Sequence, residues 1–470
     1  MEILSIEEVI KSISGQITTY GKNINVKGIS TDSRTTKPGD LFFAIIGESH
    51  DGHKFVSEAL NAGAIGAVVS SRIELGSVYS NSQLIQVRDT KIALGDLAKY
   101  YRQKLNAKIV GITGSNGKTT TKEMTYHLLA HFGPTARSQK SYNNFIGVPL
   151  TIFEIENRHQ YGVLEMGTNA RGEIRRLSEI GSPDVAVITN ISKTHLEGLG
   201  SIEGVMRAKG EILENLRENG AFVYNFDNPW CVRIASKFKG KAISFGFNHG
   251  AQIRCTDVKK KGIGYTFTIN KNLEIYLPIA GYHNIYNGLA AFAVCHSLGL
   301  DTNKLKNPFP TFKLPSMRIE HIRTGDITII NDAYNANPES MQAALQYFYN
   351  ADTTGRKVFI CGDMLELGNE SAQLHREIGK MVAQLNIDIL WTVGKYSIEI
   401  ANAAKAHGMP ESHIASFNDI SEISIIEINK LKENDTVLIK GSRVMHMEDI
   451  VQKFKEFFSK QETACNYHNN

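Results

Sequence analysis

Along most of the chain, short apolar runs alternate with longer segments in which apolar positions recur every three or four residues. Between residue 106 and about residue 240 the runs centre on Ile109, Val163, Val185 and Phe222, with helix-length segments between them. That alternation predicts a mostly parallel sheet with helices on both faces. A β-rich interval from Ala242 to Leu277 follows, then an alanine-rich helix from His283 to Ser297. Beyond a cluster of Pro308, Pro310 and Pro315, the runs T-I-I-N-D, K-V-F-I-C-G-D, I-L-W-T-V-G and T-V-L-I-K-G-S-R are again separated by helix-length segments, which predicts a doubly wound sheet. Asp332, Asp363, Gly394 and Lys440 fall at the carboxyl ends of those strands, where such sheets gather ligands. Residues 1 to about 105 mix short strands and helices and end in an amphipathic stretch, Ala93 to Leu105, expected to be a helix linking two domains. The last residues, N-Y-H-N-N, are expected to be disordered.

One run ends in chemistry. From Ile109 the chain reads I-V-G-I-T-G-S-N-G-K-T-T-T, a strand passing into a glycine-rich loop, a lysine and three threonines. Gly114 and Gly117 allow a tight turn whose N–H groups, with those of Ser115, Asn116 and Thr120, can hold phosphate oxygens at a helix start. Lys118 would reach the β- and γ-phosphates and the Thr119 hydroxyl would face Mg²⁺. The loop is G-x-x-G-K-T, because the position of the strict pattern's first glycine holds Ile112.

Composition narrows the partners. At 470 residues the length predicts about three domains. A net charge of +4 is too weak to argue for nucleic acid, and small phosphorylated ligands fit better than polymers. The five cysteines are scattered and lack any C-x-x-C pair, so neither a disulfide framework nor a zinc site is indicated and the reading is a reducing cytoplasm. The first residues carry acidic side chains where a signal peptide needs basic ones, and no run approaches the roughly 18 apolar residues of a membrane span.

Several polar residues stand near predicted strand ends. Glu165, in V-L-E-M-G, suits a hard cation, although a solvated glutamate is the plain alternative. His195, in I-T-N-I-S-K-T-H, could hold a metal, although a lone histidine is more often structural. Lys209, in R-A-K-G-E-I-L, reads on its own as a solvated helix lysine. Asn143 and Asn144 offer amides for phosphate or sugar oxygens, or simply form a turn.

The order G-I-T-G-S-N-G-K-T-T-T-K-E, Y-N-N-F-I-G-V-P-L-T, L-E-M-G, I-T-N-I-S-K-T-H and A-K-G-E-I resembles the central domain of the Mur ligases, which build the peptide of the bacterial cell-wall precursor. The resemblance extends through G-Y-H-N-I-Y-N-G-L-A-A, S-M-R-I-E and K-G-S-R. T-D-S-R-T-T-K-P-G-D-L-F-F-A-I-I-G with D-G-H-K-F is similar to the uridine-nucleotide domain of the later ligases, and N-D-A-Y-N-A-N-P-E-S-M with G-D-M-L-E-L-G to members that add D-alanyl-D-alanine.

The resemblance implies three α/β domains: a substrate-binding domain over residues 1–105, an ATP-binding domain over 106–314, and a Rossmann-like domain over 315–470 that binds the dipeptide and closes over ATP. It implies a monomer that uses ATP and Mg²⁺ to phosphorylate the terminal carboxylate of UDP-N-acetylmuramoyl-tripeptide, after which D-alanyl-D-alanine attacks the acyl phosphate. Lys118, Glu165, His195 and Lys209 would form the catalytic centre. Thr119, Glu165, His195 and a carbamylated Lys209 would ligate metal. Asn284, Asn287, Arg318 and Asp332 would join the ATP site, and Ser33, Arg34, Asn143 and Asn144 would contact the UDP-substrate. Asn335, Asn337 and Arg443 are assigned to the dipeptide. Rival readings are another ligase of the same superfamily, adding a different amino acid or acting on a folate, the latter opposed by the Thr31–Phe55 motif, and a regulator that uses ATP as a switch without ligation.

Overall fold

In a computed structural model the chain is described over residues 1–17, 24–48, 50–73 and 82–468, the side chains up to residue 459. It forms two compact units. The first comprises Met1–Asn190, Arg207–Ile253 and Leu289–Pro308; the second comprises Ile191–Met206, Arg254–Gly288 and Phe309–Asn470.

Among the described residues the first unit holds an antiparallel pair, Leu4–Ser5 with Asn25–Val26, and two larger sheets. Near the N-terminus the strands run in the order Gln16–Ile17, Gln83–Gln86, Gly66–Val69, Asp40–Phe43, Gly28–Ser30, parallel except for the first pair. The larger sheet contains six parallel strands in the order Lys241–Gly246, Ala221–Asn225, Val185–Ile188, Lys108–Thr113, Tyr161–Glu165, Thr135–Arg137. All four runs expected as strands here form them. Lys108–Thr113 is central and its residues from Ile109 onward are buried, as a strand covered on both faces requires.

The amphipathic stretch before it is the helix Thr90–Gln103, begun by Asp89, whose carboxylate accepts the N–H groups of Lys91 and Ile92. Arg102, at its end, is buried. It donates to the carbonyls of Leu105, Gly181 and Ser182 and pairs with Asp184 at 3.1 Å. Arg176 bridges Asp96 on the same helix to Glu179. The helix is thereby fastened to the six-stranded layer by charge as well as packing.

The second unit contains an antiparallel meander, Ile253–Lys261, Gly264–Ile269 and Leu273–Leu277, and a six-stranded sheet. The sheet order is Glu320–Thr324, Ile327–Asn331, Thr436–Lys440, Lys357–Gly362, Ile389–Val393, Ile414–Phe417, and only the first pair is antiparallel. Its core is built from Ile329, Val358, Ile360, Trp391, Val437, Ile439 and Phe454. The C-terminal helix begins at Glu448 and reaches His468, so the expectation of disorder from residue 466 fails for Asn466, Tyr467 and His468; the last two residues lie outside the described ones.

Candidate active site

The glycine-rich loop joins the strand Lys108–Thr113 to the helix Lys118–Ala130. Its shape is set by the neighbouring strand exit. Ser115 N–H donates to the Asn190 carbonyl at 2.9 Å, Asn116 N–H to Asn190 Oδ1 at 2.8 Å, and the Thr189 hydroxyl to the Asn116 carbonyl at 2.5 Å. Asn225 Nδ2 in turn holds the Thr189 carbonyl at 3.1 Å. Gly114 has φ +151°, and a Cβ there would stand 1.8 Å from Thr189 Oγ1. Gly117, at φ 79°, is the residue from which the helix starts. Lys118 Nζ donates to the carbonyls of Gly114 at 2.8 Å and Ser115 at 3.2 Å, so it curls over the loop. Thr119 and Thr120 are buried beneath it.

Glu165 ends the adjacent strand at 1% exposure. Its N–H donates to Ser138 Oγ at 3.2 Å, and its Oε1 accepts from Asn143 Nδ2 at 2.9 Å. Its Oε2 is buried and has no hydrogen-bond partner among the described residues. The nearest cation is Lys122, wholly buried, whose Nζ is 3.8 Å from Oε2 while it donates to the carbonyls of Ser138 and Lys140. A buried carboxylate oxygen without a donor costs about 1–3 kcal/mol, more when charged. A hard divalent cation that prefers oxygen ligands relieves that cost, so the residues present fit Mg²⁺.

Lys209 is 1% exposed, which overturns its reading as a solvated surface lysine. It stands one residue before the end of the helix Ile202–Gly210, too short a segment for its buried side to be read from periodicity. Burial holds its ammonium well below the usual lysine range, the like charge of Lys118 adds to this, and Cys231 opposes it. Disfavouring the ammonium form makes the amine lone pair more available as a nucleophile.

The remaining candidates of this unit lie apart from the loop in sequence. Asp32 caps the short turn Ser33–Thr35, accepting Arg34 N–H at 3.0 Å and the Arg34 guanidinium at 2.6 and 2.9 Å. Ser33 is buried and the Arg34 side chain is 80% exposed. Asn144 Oδ1 accepts the N–H groups of Ile146 and Gly147 and so starts the helix Gly147–Phe153.

In the second unit, Asn287 Nδ2 donates to Asn284 Oδ1 at 2.8 Å, and Asn284 Nδ2 to the Ala280 carbonyl at 2.6 Å. Asp332 Oδ2 accepts from the buried Lys440 at 2.6 Å; Lys440 also donates to the Asn335 carbonyl at 2.9 Å. Arg318 stacks over Tyr334 with its guanidinium carbon 4.2 Å from the ring centre, and its neighbours Met317 and Ile319 both have positive φ. For a β-branched residue such as Ile319 that conformation is a genuine outlier and marks a constrained loop. Asn335 Oδ1 accepts Arg443 N–H at 3.2 Å, which brings two of the three dipeptide candidates together. Asn337 caps the helix Pro338–Tyr349 in a reciprocal pair with Ser340. His195 Nδ1 pairs with Glu366. Asp363, expected among the ligand-side residues, is saturated by the N–H groups of Lys395, Tyr396 and Ser397.

Sequence reasoning missed Lys122, Ser138, Thr189, Asn190 and Glu366. Lys122, Thr189, Asn190 and Glu366 lie inside quoted motifs, T-T-T-K-E, I-T-N-I-S-K-T-H and G-D-M-L-E-L-G, but nothing in their residue types announces a role in holding another group.

Three family descriptions match this arrangement: Mur ligase family, catalytic domain, over residues 25–102; Mur ligase middle domain over 112–295; and Mur ligase, glutamate ligase domain, over 317–443. The UDP-N-acetylmuramoyl-tripeptide–D-alanyl-D-alanine ligase of Bacillus subtilis is 36% identical over 92% of this chain and 93% of its own. That of Escherichia coli is 34% identical over 96% and 98%. A crystal structure of MurF from Acinetobacter baumannii superposes with a TM-score of 0.87 at 31% identity, covering 97% of this chain and 99% of that one. MurF from Thermotoga maritima in complex with ADP gives 0.80 at 26% identity over 93% and 99%. With its phosphate loop, its buried strand-end carboxylate and this likeness over nearly its whole length, the chain belongs to the Mur ligase family, among the UDP-N-acetylmuramoyl-tripeptide–D-alanyl-D-alanine ligases.

Proposed function

We propose that this protein joins D-alanyl-D-alanine to UDP-N-acetylmuramoyl-tripeptide with consumption of ATP. The observation that carries the reading is the likeness at 34–36% identity, over nearly the full length of both chains, to ligases named for those two substrates. The cradle supports the chemistry. A carboxylate is a poor electrophile, and transfer of the γ-phosphoryl group to its oxygen, releasing ADP, makes that oxygen a good leaving group. The dipeptide amine then attacks the carbonyl carbon, loses a proton and expels phosphate.

In this reading the loop N–H groups and Lys118 hold the β- and γ-phosphates, and charge on the transferring group is stabilised without a covalent nucleophile. Thr119 and Glu165 would hold one Mg²⁺ and His195 would help place a second; when bound, the ions would supply charge neutralisation. Lys209, with its depressed ammonium, is the candidate for carbamylation by CO₂: the amine nitrogen bonds to carbon, a proton leaves, and a cation is replaced by an anionic oxygen donor. Asn284, Asn287, Arg318 and Asp332 serve the nucleotide, Ser33, Arg34, Asn143 and Asn144 the UDP-substrate, and Asn335, Asn337 and Arg443 the dipeptide. The sequence-derived domains, 1–105, 106–314 and 315–470, are assigned on this reading to UDP-substrate, ATP and dipeptide.

The test is phosphate release from ATP by the purified protein, with UDP-tripeptide and D-alanyl-D-alanine added separately and together. Sustained release that needs both supports ligation. Turnover indifferent to the dipeptide refutes it.

A further inference from the structure

The stretch G-D-M-L-E-L-G leaves the strand Lys357–Gly362 and has so far served only as a likeness. Its two carboxylates are used differently. Asp363 is consumed by three backbone N–H groups and holds the turn at Gly394, where a Cβ would stand 2.7 Å from its carboxylate. Glu366 has a half-exposed side chain that reaches His195 Nδ1, and its own carbonyl accepts Glu197 N–H at 3.2 Å. A third tie, Lys193 to Glu370 at 2.5 Å, joins the same two segments.

His195 and Glu366 both have left-handed backbones, with φ 52° and 62°. Non-glycine residues occupy that region sparingly, and two of them at the ends of one hydrogen bond is a concentration of the kind found at functional sites. The other two ties already hold the segments together, so the strained pair is surplus to anchoring. Its chemical consequence is specific. An ionised carboxylate only accepts, so Nδ1 carries the proton and Nε2 is left with its lone pair. A metal-binding histidine whose second nitrogen donates to a carboxylate is fixed in tautomer and orientation and made a better donor to the metal.

We propose that Glu366 is the positioning residue for His195, fixing its tautomer so that Nε2 is free to ligate a metal ion; this rests on the reading of His195 as a metal ligand. In this role Glu366 acts through His195.

The experiment uses the full-length protein with ADP and Mn²⁺ as the probe, free Mn²⁺ being read by electron paramagnetic resonance in the parent, His195→Gln, Glu366→Gln and Glu370→Gln. In parallel, long-range ¹H–¹⁵N spectra of the ligand-free protein report the His195 tautomer, identified by the signal missing in His195→Gln. Glu366→Gln is expected to weaken Mn²⁺ binding by about tenfold or more, the usual effect of losing such a partner, and to abolish the pure Nδ1–H form. Glu370→Gln is expected to do neither. Unchanged Mn²⁺ affinity in Glu366→Gln, an unchanged tautomer, or an equal loss in Glu370→Gln overturns the proposal. If His195→Gln itself binds Mn²⁺ as the parent does, the ligand reading falls and takes the proposal with it; if His195→Gln loses Mn²⁺ while Glu366→Gln keeps it, the proposal alone falls.

Discussion

Replacing Gly114 by alanine tests the account of the phosphate loop. The new Cβ would lie 1.8 Å from Thr189 Oγ1, 3.1 Å from Thr189 Cβ and 3.2 Å from Thr189 N. Reaching ordinary van der Waals separation requires a shift of more than about 1 Å. Thr189 cannot turn aside freely, because its hydroxyl holds the Asn116 carbonyl at 2.5 Å. The backbone at φ +151° adds about 1–3 kcal/mol for any side chain. A loop that relaxes out of shape must be forced back on binding, and a misplacement of about 1 Å costs on the order of a hundredfold, or about 2.7 kcal/mol. Gly114→Ala should therefore weaken ADP binding at least about a hundredfold by calorimetry, with strain carrying the total towards roughly 5 kcal/mol. The double variant Gly114→Ala with Thr189→Ala removes the 1.8 Å contact but leaves the backbone conformation, so it should recover only part of the loss. A Gly114→Ala protein that binds ADP within about threefold of the parent would refute the reasoning.

Glu165→Gln should leave metal-free ADP binding intact and remove most of the gain that Mg²⁺ confers, about tenfold or more, measured by paired titrations with and without the ion. Depleting CO₂ should lower the ligation rate and bicarbonate should restore it, whereas Lys209→Arg should be slow in both conditions; a parent enzyme insensitive to CO₂ argues against carbamylation. Arg102→Met removes a buried cation with four oxygen partners and should destabilise the first unit by about 3–5 kcal/mol. Its denaturant midpoint can be followed through Trp230, since Trp391, the other tryptophan, belongs to the second unit and can be replaced by phenylalanine. His375 accepts Met364 N–H on Nε2 and donates from Nδ1 to the Ser371 carbonyl, and burial lowers its pKa. The unfolded chain then binds the proton more readily, so this stabilisation is complete above pH about 6.5 and declines as pH falls from there towards the folded-state value. Midpoints reported by Trp391 should drop between pH 7.5 and 5.5 more in the parent than in His375→Gln, and equal drops would exclude the contribution.

Elements were readable where periodicity was strong. The helix His283–Ser297 begins and ends where its alanine-rich pattern does, and the four apolar runs after the prolines became four neighbouring parallel strands. The glycines and Lys118 were readable because phosphate binding constrains residue type at fixed spacing. Lys209 was not, because a lysine in a short helix carries no sign of the burial that gives it its chemistry. Nor were Thr189 and Asn190, whose task is to shape the backbone of a loop about 75 residues earlier, an assignment that only the pairing of their strand with Lys108–Thr113 creates. The two-unit division was equally hidden, since each unit is assembled from three separated stretches.

The unmatched oxygen of Glu165 has a consequence for how this enzyme responds to selection. That one atom carries local frustration, which on the proposed reading a bound Mg²⁺ relieves. A screen that rewards heat resistance of the unliganded chain will favour apolar replacements of Glu165, in the same way that stabilising substitutions at active sites trade against activity. Engineering for durability should be run with nucleotide and Mg²⁺ present, so that the loaded form is the one being scored.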